Sequence, residues 1–119
     1  MVNADLSILV EEFASCVMAQ DEAIALGNST AGNEFARRYV AAFDTIRSYG
    51  NSGRDALAYL LDDTRLPVKV MAAAFLLRHC GPKAIQILES EAQGQGLVAF
   101  GAAQALRRWK EGTWSLDPS

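Results

Sequence analysis

Residues 70–82, VMAAAFLLRHCGP, place the only histidine of the chain, His79, directly before Cys80, one of its two cysteines. A thiol activated by a neighbouring histidine is a well-known nucleophile, so this pair is the first candidate for covalent catalysis. Adjacent residues on a helix point about 100° apart, whereas the base must lie within about 3 Å of the nucleophile. We therefore expect Cys80 to be a packing residue in the last turn of a helix, and His79 to face solvent or the terminal carbonyls.

Other chemistries lack the residues that they require. One histidine and two distant cysteines cannot form a C-x-x-C or H-E-x-x-H motif, and acidic doublets such as Glu11-Glu12 diverge on a helix. Residues 94–99, GQGLVA, match a dinucleotide fingerprint, which also needs a preceding strand where a helix is predicted. The sequence predicts that the protein is not an enzyme and holds no catalytic residues, metal or cofactor.

Size and composition predict a single domain, residues 1–119. Half of the residues are hydrophobic but only 8% are aromatic, and the abundant alanine and leucine favour an all-α fold. The longest apolar run has eight residues, too few to cross a bilayer, and no basic segment precedes an apolar run at the N-terminus. Because two cysteines do not make a disulfide framework, we expect a cytoplasmic protein that is not embedded in a membrane.

The charge is distributed unevenly along the chain. Residues 1–34 contain six acidic residues and no Lys or Arg, although the net charge of the whole chain is only -3. Acidic residues suit helix N-termini and solvated faces, which explains part of this bias. A second interpretation is an acidic surface that binds a basic partner.

Apolar residues recur at helical spacing in six segments, separated by Gly, Pro and capping residues. No segment shows the sustained alternation of a strand. The predicted helices span residues 5–26, 30–49, 52–62, 67–80, 82–93 and 96–111, followed by a tail, residues 113–119, that is expected to be loosely ordered except where Trp114 docks.

Helices two, four and six share the pattern Ala-x-x-x-(Ile/Leu)-Arg at offsets of about 30 residues, which is typical of an α-solenoid. The three copies are Ala42, Ile46, Arg47; Ala73, Leu77, Arg78; and Ala102, Leu106, Arg107. Helices three and five also correspond. This predicts a short right-handed α-α superhelix of about six helices.

The segment DTRLPVKVMAAAFLL, residues 63–77, resembles a HEAT repeat. The wider pattern, from GNSTAGN (residues 27–33) through AAAFLL (residues 72–77) to ALRRWKEG (residues 105–112), is similar to a family of small bacterial helical domains with HEAT-like folds. The resemblance implies an ARM-type or HEAT-like solenoid, with Asp63 or Lys69 pairing with neighbouring layers, and it carries no activity over to particular residues. The third copy has Gln93, Val98 and Ala99 at the corresponding positions, as a terminal repeat would.

These observations favour a protein-protein interaction module, in its most concrete form an immunity protein that neutralises a cognate toxin. The alternative is a nucleic-acid-binding protein or a HEAT-like DNA glycosylase, which the acidic charge makes unfavourable. The oligomeric state stays open. The candidate partner-binding residues are Glu11, Glu12, Asp21, Glu22, Glu34, Arg37 and Arg38.

Overall fold

The computed structural model of the protein describes residues 4–118, which form six α-helices, one 3₁₀-helix and no strand. The predicted all-α class is confirmed. The helices are α1 (Ala4–Ala25), α2 (Ser29–Arg47), α3 (Asn51–Ala58), the 3₁₀-helix Tyr59–Asp62, α4 (Leu66–Phe75), α5 (Gly81–Ala92) and α6 (Leu97–Glu111). The ends of the predicted single domain, residues 1–3 and 119, lie outside the described residues.

The chain divides into two compact units, which we call the N-terminal unit (residues 4–57) and the C-terminal unit (residues 58–118). The N-terminal unit contains α1, α2 and nearly all of α3. The C-terminal unit contains the 3₁₀-helix, α4, α5, α6 and the tail. In residues 4–118, no helix combines the length and apolar character needed to cross a bilayer.

The α1–α2 hairpin is set by two consecutive residues. Gly27 adopts a φ of 75°, and its N–H and that of Asn28 donate to the carbonyls of Ile24 and Ala23, which closes α1 as a Schellman motif. The side chain of Asn28 then accepts from the backbone N–H of Ala31 at 3.0 Å and opens α2. Asn28 is therefore the N-cap of α2, which begins at Ser29, one residue before the predicted start.

The start of α3 packs closely on the end of α2. Gly50 turns the chain with a φ of 69°, and the Cα of Gly53 lies so near the carbonyl of Ile46 that an added Cβ would be 1.8 Å from its oxygen. Glycine is therefore required at position 53 for steric reasons. Beneath this turn, Phe43 and Ile46 are buried together with Phe13 and Val17 of α1.

In the C-terminal unit, α4 packs against the 3₁₀-helix, α5 and α6. The eight-residue apolar run, residues 70–77, overlaps the second half of α4 and is buried from Ala72 to Leu77, but the helix ends at Phe75, five residues before the predicted end. Apolar residues mark burial rather than helical geometry, and Leu76 and Leu77 are buried in the turn that follows. His79 and Cys80 consequently lie between α4 and α5 rather than on the last turn of α4, and both are partly exposed.

The two residues expected to link layers around α4, Asp63 and Lys69, form ion pairs of different kinds. Asp63 accepts two hydrogen bonds from the Arg65 guanidinium, at 2.9 and 3.0 Å, and one from the Arg65 backbone N–H at 2.8 Å. The guanidinium and this N–H hold the pKa of Asp63 below its usual value. Lys69 reaches Glu91 of α5 at 3.7 Å. Of the two residues expected to link layers, Lys69 therefore contacts another helix and Asp63 pairs within its own loop.

The described part of the tail is folded against the end of α4 through Trp114 and Asp117. The indole N–H of Trp114 donates to the Ala74 carbonyl at 2.8 Å, which satisfies one of the backbone acceptors left open where α4 ends. Asp117 is buried, with only 1% of its surface exposed, and pairs with Arg78 at 3.1 Å. Arg78 also lies over the Trp114 ring, 5.9 Å from its centroid.

Candidate protein-binding surface

The exposed side of α1 carries a shallow depression that contains three of the predicted contact residues. Its lining is formed by Ile8, Glu11, Glu12, Ser15, Cys16 and Arg38. These positions recur at three- and four-residue spacing, so α1 presents them on one face, and Arg38 reaches them from α2. We call this group the α1 surface.

The predicted basic residues are already engaged with predicted acidic residues. Arg38 pairs with Glu12 at 3.3 Å, which links α1 and α2, and it also lies over the Phe35 ring, 5.7 Å from its centroid. Arg37 pairs with Glu34 at 2.6 Å on α2. The Arg37 hydrogen bond and its positive charge lower the pKa of Glu34. Both pairs are exposed, so they hold side chains in place and contribute little stability.

Glu11 differs from its neighbour because it forms no ion pair in the described part of the chain. Its carboxylate accepts a hydrogen bond from the Ser15 hydroxyl at 3.3 Å, one helical turn away. Its charge is therefore not neutralised by a cation of the protein itself. Among the acidic residues of the α1 surface, Glu11 has the carboxylate best able to meet a basic group from outside.

Asp21 and Glu22 lie further along α1 and do not belong to one site. Glu22 is eleven residues after Glu11, about three turns, so it is exposed on the same side of the helix roughly 16 Å away. Asp21 is nine residues after Glu12, two and a half turns, which places it on the opposite side. The structure therefore brings Glu11, Glu12 and Arg38 together, and separates Asp21 from them.

Three members of the α1 surface, Ile8, Ser15 and Cys16, were missed by sequence reasoning, and of these Ile8 is the exposed aliphatic residue. Its side chain is 67% exposed, although isoleucine is among the residues most often buried. The apolar stripe of α1 includes Leu6 and Phe13, and Ile8 falls outside it. The sequence signal that could have identified it is an isoleucine that lies outside the apolar stripe of the helix and close to two glutamates.

The thiol at the α1 surface is buried, and the described carboxylates do not form a metal-binding cluster. Cys16 lies at the base of the α1 surface, and burial raises the pKa of its thiol, which disfavours the nucleophilic thiolate. Within residues 4–118, no three His, Cys, Asp or Glu side chains are grouped so that they could hold a metal ion. The arrangement on α1 presents two carboxylates, a guanidinium and an exposed aliphatic side chain to solvent.

Comparisons of the chain with protein-family models, with curated proteins and with solved structures found no match in any of the three.

Proposed function

We propose that the protein is a non-enzymatic, HEAT-like interaction module of the cytoplasm, and that its α1 surface binds a partner protein with a basic surface. One observation carries the proposal. Ile8, an exposed aliphatic side chain, lines the same depression as Glu11 and Glu12. An apolar side chain bordered by charged groups matches the composition of protein interfaces, in which a polar rim surrounds an apolar centre.

The net charge of the N-terminal half of the chain suits a basic partner. Residues 1–57 contain eight acidic and four basic residues, and residues 58–119 contain six acidic and seven basic residues. An acidic field accelerates the approach of a basic protein, and the unpaired Glu11 can then accept a cationic side chain. A toxin with a basic active site is a partner of this kind, so we propose neutralisation of such a toxin as the specific role.

The solenoid part of the proposal is supported by the three Ala-x-x-x-(Ile/Leu)-Arg copies. The six apolar members are all buried, at 7% exposure or less. The three arginines instead pair with three different acidic residues, Asp44, Asp117 and Glu111. The burial of the apolar residues is therefore the same in all three copies, whereas the arginine partners differ. This is expected when similar helix pairs stack on one another through their apolar faces.

Site-specific photocrosslinking in the native host would test the interface. A benzophenone amino acid at Ser15 on the α1 surface should give a crosslinked protein, with the crosslinked peptide rich in Lys or Arg. The matched control has the same group at Gln86, an exposed position on α5. Equal crosslinking at both positions, or none at Ser15, would contradict the proposal.

Charge reversal would then test the recognition chemistry with the crosslinked partner in purified form. We expect Glu11→Lys to slow association several-fold at low ionic strength and to lose its effect near 0.5 M salt. Glu89→Lys makes the same change in net charge at an exposed position on α5 and should leave the rate nearly unchanged. Glu11 is preferable to Glu12, since replacing Glu12 also breaks its pair with Arg38.

Salt-sensitive binding of labelled duplex DNA, with no protein partner, would favour the nucleic-acid alternative.

A further inference from the structure

A second surface, in the C-terminal unit, has chemistry different from that of the α1 surface. The C-terminal end of α4, the first three turns of α6 and the tail enclose a groove of about 390 Å³. Apolar side chains dominate its lining, including Met71, Phe100 and Trp114. A volume of this size is within the range of sites that accept one or two side chains or a small ligand.

The apolar area extends beyond the groove itself. Phe100 on its rim is 60% exposed, and Leu97, one turn earlier on the same side of α6, is 63% exposed. Leu116 of the tail, which also lines the groove, is 37% exposed. Clustered exposed side chains of this kind mark interaction sites, whereas single ones are common on any protein. The extension to Leu97 indicates an occupant longer than a small molecule confined to the groove.

The charge in the groove indicates the character of that occupant. Arg108 is the one charged residue in the lining, and its guanidinium forms no ion pair within residues 4–118. The neighbouring Arg107, by contrast, is paired with Glu111 at 3.2 Å. An unpaired guanidinium beside an apolar groove is complementary to a carboxylate carried next to apolar side chains.

Gly101 contributes no side chain to the lining of the groove. It lies inside α6 and lines the groove, and nothing lies within 4 Å of the position that its Cβ would take. Glycine in a helix interior costs about 0.5–1 kcal/mol relative to alanine, and here no close contact or unusual backbone angle requires it. The cost is explained if the space beside Gly101 is used for binding.

We propose that this groove binds an amphipathic acidic segment of another protein, with apolar side chains against Phe100 and Trp114 and a carboxylate on Arg108. The inference is independent of the α1 surface. The two surfaces lie in different units, and their charges suit partners of opposite sign.

Selection from a displayed library of random sixteen-residue peptides on the full-length chain would test this. We expect the enriched peptides to combine apolar residues with Asp or Glu. Their affinity, measured by fluorescence anisotropy, should fall about tenfold or more in Gly101→Leu, which fills the groove. Leucine is a better helix former than glycine, so thermal unfolding should show that this variant is at least as stable as the parent chain.

Two charge variants complete the test. Arg108→Glu should lower the affinity for the enriched acidic peptides about tenfold. Lys110→Glu makes the same change in charge at an exposed position outside the lining and should alter the affinity less than about twofold. The proposal is overturned if no peptide is enriched, if the enriched peptides lack an acidic excess, or if they bind Gly101→Leu equally well. It is also overturned if sedimentation shows a dimer of the chain that Gly101→Leu dissociates, because the occupant would then be a second copy.

Discussion

In each unit, the last segment packs against the C-terminal end of an earlier helix, but the two units use different interactions for this contact. In the N-terminal unit, α3 lies against the end of α2 through the close approach of Gly53 to the Ile46 carbonyl. In the C-terminal unit, the tail lies against the end of α4 through the Trp114 indole bond to Ala74 and the pairing of Asp117 with Arg78. The first contact is steric and the second is polar.

The difference shows two solutions to one problem. The last carbonyls of a helix lack intrahelical partners. The Ile46 carbonyl accepts from the Tyr49 N–H in the turn that follows, so α3 has only to fit against it, whereas the Ala74 carbonyl receives its donor from the tail. Glycine permits the close approach because it has no side chain, whereas Trp114 supplies an N–H. A steric contact should accordingly fail when one methyl group is added, and a polar contact when one bond is removed.

The largest effect is expected for Gly53→Ala. The added Cβ would clash with the backbone oxygen of Ile46, which cannot move without disturbing α2, so we expect a loss of about 3 kcal/mol in the free energy of unfolding. Urea denaturation followed by circular dichroism would measure it. Gly101→Ala makes the same change inside α6, where space is open, and should stabilise by about 0.5–1 kcal/mol. Similar losses for the two variants would refute the steric account.

A smaller loss, about 2 kcal/mol, is expected for Asp117→Asn. The substitution keeps the shape of the side chain but removes the buried negative charge that pairs with Arg78. Because Arg78 is partly exposed, water can replace part of the interaction that its guanidinium loses. Glu12→Gln removes the charge from an exposed pair, with the glutamate side chain 44% exposed, and should cost less than about 1 kcal/mol. Denaturant titrations of both variants would compare them directly, and an equal cost would mean that burial of Asp117 adds nothing.

The smallest effects concern the pH dependence of two carboxylates, one in each unit. Arg65 lowers the pKa of Asp63, and Arg37 lowers that of Glu34. A carboxyl with a lower pKa in the folded state stabilises the fold above its unfolded pKa, about 4, and this contribution is lost as the pH falls through the folded pKa.

Asp63→Asn should therefore lower stability slightly at pH 7 and flatten the acid limb of the stability profile. Arg37→Ala should raise the pKa of Glu34, observed by carboxyl ¹³C NMR, without a measurable change in stability, because that pair is exposed. If Asp63 titrates near its ordinary value, the bidentate geometry with Arg65 is not maintained in solution.

The number and order of helices could be predicted from the sequence because apolar spacing and the glycines at 27, 50 and 112 are local signals. The end of α4 could not, since an apolar run gives the extent of burial and not the backbone conformation of Leu76 and Leu77. Asp117 was missed because a carboxylate near several polar residues is normally exposed. Its burial depends on Arg78, 39 positions earlier in the chain.

Part of the candidate surface was predictable in the same way. Glu11 and Glu12 stand out by charge alone, and their association with Arg38 requires only that α1 and α2 pack together. The separation of Asp21 follows from helix geometry once α1 is known to be continuous. The groove beside Arg108 was not predictable, because it requires the tail to fold back beside α4 and α6, a non-local contact that the spacing of apolar residues does not reveal.

The turn at Gly27 and Asn28 has a consequence for engineering of the chain. Asn28 completes the hydrogen bonding of α1 with its backbone and begins that of α2 with its side chain, so the connection contains no residue that serves neither helix. An inserted residue would separate these two roles and leave one helix end without its cap. Loop extensions and fusion points should therefore be less tolerated here than in the four-residue connection between α5 and α6.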